Sequence, residues 1–157
     1  MTMIQPGEMA PDFALPDQDK NVHKLSDYRG KPVVLLFYPL DFSPVCSNEM
    51  ACFRDALSVF NDLDAQVFGI SVDSVWAHKA FAAQQGIEFP LLADFHPKGD
   101  VCKKYGVYLE DKGICDRVVV VIDPEGRVSE VIHVGIPNVP DVEQVAEAVK
   151  KAAAATA

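Results

Sequence analysis

Along the chain, short unbroken apolar runs alternate with longer stretches whose apolar positions recur every three or four residues. The runs VVLLFY (33–38), QVFGISV (66–72) and RVVVVI (117–122) lack the alternation of a half-exposed strand, and the spacing predicts interior strands of an α/β sheet. Helical periodicity falls at roughly 44–62, 74–86 and 97–105, and again after Asp141, whose side chain can cap a last helix with Val142, Val145 and Val149 on one face. The DPEG turn (123–126) folds the third run back onto RVSEVIHV as a hairpin. APDFAL and NVHKL, separated by PDQDK, read as an N-terminal hairpin. The segment FPLLADFHPKGDVCKKYGV (89–107) reads as a loop and helix completing the sheet edge. The expected architecture is a central mixed sheet flanked by helices, in one domain spanning 1–157.

The first helix carries a stripe, Met50, Phe53, Leu57 and Phe60, that packs on the sheet, and Cys46 lies four residues before Met50 on the same face. Ser43 followed by Pro44 reads as N-cap and first helical residue, which puts Cys46 in the first turn. A thiol there faces unpaired backbone N–H groups and the positive end of the helix dipole, a setting that favours the thiolate. The same spacing is also that of a small apolar knob beginning a core stripe.

Charge and composition narrow the partners. With 14 basic and 23 acidic residues the net charge is −9, which gives no footprint for nucleic acid or an anionic membrane. The N-terminus lacks a basic and an apolar signal region, and no run approaches about 18 apolar residues, so the expectation is a soluble cytoplasmic protein. In that compartment Cys46, Cys52, Cys102 and Cys115 are expected as reduced thiols. No C-x₂₋₄-C pair exists and the four histidines stand apart, so no metal and no cofactor is expected.

The stretch PLDFSPVC (39–46) fits the P-x-x-x-(T/S)-x-x-C motif of peroxiredoxins. PGEMAPDFALPDQD, GISVDS, FPLLADFHPKGDVCKKYGV and GICDRVVVVIDPEGRV extend the similarity over nearly the whole chain. The sequence most resembles the AhpE-type branch, with the bacterioferritin-comigratory (PrxQ-type) branch next. This resemblance implies a thioredoxin-like fold and thiol-dependent reduction of hydroperoxides. It implies roles for Cys46 as nucleophile, Arg117 as the active-site cation and Pro39 as a shield of the sulfur, while the Ser43 hydroxyl and the Cys46 amide are expected as donors to the charge that develops as the O–O bond breaks. Glu49, one turn beyond Cys46, would orient the arginine or be an ordinary surface glutamate. The resemblance also implies a homodimer.

Oxidation of the thiolate leaves a sulfenic acid that needs a reductant. PrxQ-type chains often place a resolving cysteine five residues on, where this chain has Ala51; Cys52 is one residue further. Six helical residues separate the Cα atoms by roughly 10 Å, beyond the reach of about 7 Å that a bridge requires. Cys115, two residues before Arg117, shares its face if the segment is extended, which makes Cys52 and Cys115 the candidate resolving residues, with Cys102 a packing site. The alternative is an external reductant: a low-molecular-weight thiol, thioredoxin or a glutaredoxin-like protein. A competing reading, a disulfide reductase of the same fold, needs C-x-x-C, and Cys46 is followed by Ser47, Asn48 and Glu49. A holdase chaperone leaves no mark in the sequence.

Overall fold

The computed structural model describes residues 2–155, so both ends of the expected 1–157 domain lie outside the described residues. Three of its strands are the three apolar runs: β3 (Val33–Phe37), β4 (Gln66–Ser71) and β8 (Val118–Ile122). They form the middle of a five-stranded sheet in the order β5 (Leu91–Ala93), β4, β3, β8, β9 (Val128–His133). β3 runs parallel to β4 and β4 to β5, whereas β8 is antiparallel to both β3 and β9. The sheet is therefore mixed, as expected, and β8–β9 is the hairpin at DPEG.

Every residue of β3 and β8 is buried because helices cover both faces. Val34, Leu36, Val119 and Val121 face one core with Met50 and Phe53 of α1 (Pro44–Asp55), Phe60 of α2 (Leu57–Asp62), Phe81 of α3 (Val75–Gln85), and Val145 and Val149 of α5 (Val142–Ala155). Val33, Leu35, Phe37, Val118 and Val120 face the other core, with Val101 and Cys102 of α4 (Asp100–Lys104). Deleting one of these buried aliphatic chains to alanine costs about 2–5 kcal/mol.

Three details differ from the sequence expectation. The helix expected over 44–62 is broken at Ala56, where ψ of 5° leaves the helical range, and Phe53 and Phe60 stack across the break at 5.7 Å. The 89–107 segment contributes a true edge strand, β5, before its helix. A small two-stranded arm, β6 (Tyr108–Leu109) with β7 (Ile114–Cys115), precedes β8. The N-terminal hairpin is present as β1 (Ala14–Pro16) and β2 (Val22–Lys24).

Candidate active site

The turn that follows β3 enters α1 at Ser43, which has the extended backbone of an N-cap, with Pro44 first in the helix and Cys46 at its third position. Ser43 does not use its side chain as a cap. Its hydroxyl donates instead to the Leu40 carbonyl at 3.0 Å, closing the turn and leaving the oxygen lone pairs free. Cys46 is fully buried on the core stripe and keeps a free thiol.

Register decides what Cys46 meets. Phe37 pairs with Val118, so Arg117, one residue before β8, falls beside Tyr38 at the strand end from which the turn departs. Its side chain is only 1% exposed, and Nη2 donates to the Cys46 sulfur at 3.2 Å. Two further bonds, from Nε at 3.2 Å and Nη2 at 3.0 Å, go to the Ile136 carbonyl. Nη1 donates to Oε1 of Glu49 in a buried ion pair. Cys46 and Glu49 are three apart on α1 and thus neighbours, so one guanidinium spans both.

Glu49 is fully buried, and its second carboxylate oxygen has no partner among the described residues. Burial pushes its pKa up to about 7, against the opposing pull of the Arg117 charge. Pro39, Ser43, Val45, Ile114, Arg117 and Ile136 line an open, largely apolar cleft of about 310 Å³ at this place. The geometry offers a sulfur with a cation at hydrogen-bonding distance, fixed donors, and room for a small molecule beside them.

The structure thus brings together Pro39, Ser43, Cys46, Glu49 and Arg117. It separates the remaining cysteines. Cys52 is an exposed free thiol further along the unbroken α1. Cys102 and Cys115, expected as reduced thiols, are joined in a disulfide with a Cα–Cα distance of 6.0 Å. The Asp94 carboxylate accepts the Val101 and Cys102 amides at 3.1 and 2.9 Å and fixes the start of α4, and with it Cys102. Both bridged cysteines sit in the core on the face of the sheet opposite Cys46. The shared face inferred for Cys115 and Arg117 does not exist, because the chain leaves strand geometry at Asp116 and Arg117 between β7 and β8. Cys115 is accordingly not placed to meet Cys46 in the folded chain. Sequence reasoning missed the Ile136 carbonyl as an anchor of Arg117; a main-chain acceptor leaves no residue-type signal.

Residues 6–131 match the AhpC/TSA family. Alkyl hydroperoxide reductase E of Mycobacterium tuberculosis is 43% identical over 125 residues, covering 79% of this chain and 82% of that protein. Peroxiredoxin tpx1 of Schizosaccharomyces pombe is 40% identical over 144 residues, covering 85% and 74%. Among solved structures, peroxidoxin BcpB of Mycobacterium tuberculosis superposes with a TM-score of 0.83 at 32% identity, over 96% of this chain and 98% of that one. A fold of the thioredoxin type with a buried cysteine at the start of its first long helix is the frame of a thiol peroxidase. The chain belongs to the AhpC/TSA family and is a peroxiredoxin, an enzyme that reduces peroxide with a cysteine thiol.

Proposed function

We propose that Cys46 is the peroxidatic nucleophile and that its substrates are hydrogen peroxide and organic hydroperoxides. The observation that carries this reading is the bond of 3.2 Å from Arg117 to the Cys46 sulfur, at a helix N-terminus and beside a cleft. The thiolate attacks the terminal oxygen of R–O–O–H; an S–O bond forms as the O–O bond breaks, giving Cys46–SOH and an alkoxide that takes a proton from water. Negative charge moves from sulfur onto the departing oxygen, and Arg117 stabilises it along that line. Ser43, already donating to Leu40, presents lone pairs that accept the peroxide O–H and aim its oxygen at the sulfur. Pro39 walls the cleft without adding a competing N–H, and Glu49 holds the guanidinium in place. No cofactor or metal has a step in this scheme.

An apolar lining suits an alkyl group on the peroxide, and the name of the mycobacterial relative, alkyl hydroperoxide reductase E, agrees with that class. With Cys52 six residues along an intact helix and Cys115 bonded to Cys102, the reductant of Cys46–SOH is an external thiol, small or carried by a thioredoxin- or glutaredoxin-like protein. A cytoplasmic setting, rich in such thiols, suits this cycle, and the full burial of Cys102 and Cys115 shelters their bridge from the same thiols. Exposed Leu40 and Phe42 beside the cleft support a homodimer built on this surface. The test mixes the reduced protein with hydrogen peroxide or an alkyl hydroperoxide and identifies the product by mass spectrometry. One oxygen added at Cys46, with no consumption by Cys46→Ser, is the expected result. Undiminished consumption by Cys46→Ser overturns the reading.

A further inference from the structure

Beneath the turn that carries Pro39 and Ser43 lies a polar cluster that the peroxide chemistry does not use. Asp41 and His78 are buried side chains on different elements, the turn and α3. His78 Nδ1 meets Asp41 Oδ2 at 2.7 Å, and its Nε2 meets the Leu92 carbonyl at 3.0 Å. A carbonyl only accepts, so Nε2 carries a proton, and the Nδ1 contact holds a second proton between imidazole and carboxylate. The Tyr38 hydroxyl donates to the other Asp41 oxygen at 2.6 Å. The Asp41 amide donates to Asp73 at 2.8 Å, and Ser71 donates to the same Asp73 oxygen at 2.6 Å.

This cluster borders a turn whose backbone adopts an unfavourable conformation. Phe42, the next residue, has a φ of +69°, in the left-handed region that a bulky side chain seldom occupies. Its ring packs edge-on against Phe81 of α3 at 5.2 Å. On one side of it stands Asp41, bonded through both amide and carboxylate; on the other stands Ser43, tied back to Leu40. We propose that Asp41 and His78 are positioning residues for the peroxidase reaction, pinning the turn so that Pro39, Ser43 and Cys46 face Arg117 in register. Neither side chain lines the cleft, so both act through the turn, which rests on the assignment of Cys46 given above.

The test follows Cys46 oxidation by hydrogen peroxide in wild type, His78→Ala, Asp41→Asn, Asp73→Ala and Cys46→Ser, with thermal melting of each. His78→Ala should slow oxidation on the order of tenfold to a hundredfold, the cost of a displaced reacting group. Asp41→Asn should stay within about threefold of wild type, because an asparagine amide still accepts from Tyr38 and donates to Nδ1 of a neutral His78. That rescue separates positioning from mere loss of stability. Asp73→Ala, at a half-buried position, removes the acceptor that the Asp41 amide shares with the Ser71 hydroxyl while leaving the Asp41 and His78 side chains in place, and carries the test should His78→Ala fail to fold; a slowing of threefold or more is expected. A folded His78→Ala or Asp73→Ala that oxidises at the wild-type rate overturns the proposal, as does an Asp41→Asn as slow as His78→Ala. If instead Cys46→Ser consumes peroxide, it is the assignment of Cys46 that fails.

Discussion

The Arg117 guanidinium bonds the sulfur of Cys46 and the carboxylate of Glu49 from a position 71 residues from the one and 68 from the other. All three side chains are buried, so one positive charge lies against both the sulfur and the carboxyl group in a medium where water screens little. Removing it should have two separable effects. Arg117→Ala should slow Cys46 oxidation on the order of 10² to 10³ fold through loss of a preorganised donor. It should also destabilise the fold by about 3–5 kcal/mol, because Glu49 is left buried without its partner. Adding Glu49→Gln to Arg117→Ala should recover stability but not rate, as read by denaturant titration and rapid mixing. Recovery of the rate would show that the cation acts only on the fold.

Replacing the sulfur tests a narrower point. Cys46→Ser keeps a small group on the core stripe beside Met50, so the melting temperature should fall by only a few degrees, the equivalent of about 1 kcal/mol. Peroxide consumption should vanish, since an un-ionised hydroxyl cannot replace the thiolate. A colorimetric peroxide assay with circular dichroism melts checks both statements.

Glu49 gives the stability a pH dependence of predictable sign. Its pKa rises from 4.5 in the unfolded chain to about 7 in the fold because burial disfavours the carboxylate. Between those values the folded chain binds a proton that the unfolded chain has lost. The contribution of this group is therefore complete below pH 4.5 and declines as pH rises toward 7, by up to about 3 kcal/mol. Glu49→Gln, which cannot ionise, should lack this decline. The difference in unfolding free energy between the two proteins, taken across this pH range, should slope; a flat difference would refute the argument.

Cysteine connectivity is directly countable. Under denaturing conditions without reductant, two thiols, Cys46 and Cys52, should react with a thiol reagent, and four after reduction. Four before reduction would mean that the bridge between α4 and β7 is absent from the protein.

The residues that are legible from sequence share a local cause. β3, β4 and β8 announced themselves as apolar runs, and α1 placed Cys46 through Ser43, Pro44 and the Met50–Phe53 stripe, all within a few turns. Arg117 and Glu49 were legible only through likeness to a family, since their meeting depends on the pairing of Phe37 with Val118. The Cys102–Cys115 bridge escaped because it needs the arm of β6 and β7, two strands of two residues each with no periodicity to read. The Ser43 hydroxyl was expected to serve the helix and serves Leu40 instead, a choice made by the turn geometry around Phe42. Tyr38, Asp41 and His78 gave no signal, as a buried polar cluster assembled from a turn and a helix 37 residues further on has no local spacing in the chain.

The last prediction concerns the fate of oxidised Cys46. α1 is continuous from Pro44 to Asp55, which holds Cys52 roughly 10 Å away along the helix and on the exposed side. Joining the two sulfurs would mean unwinding about two turns and exposing Met50 and Phe53, both fully buried, at a cost of several kcal/mol. Cys102 and Cys115 are spent on each other across the sheet. One equivalent of peroxide should therefore leave a sulfenic acid at Cys46 that a dimedone-type reagent traps in high yield, and Cys52→Ser should leave both the trapping and the thiol-supported turnover unchanged. Peptide mapping of the oxidised, untrapped protein should show no Cys46–Cys52 link. Finding that link, together with loss of turnover in Cys52→Ser, would mean that the first turns of α1 unwind during the cycle and that the packing of Met50 and Phe53 is weaker than their burial implies.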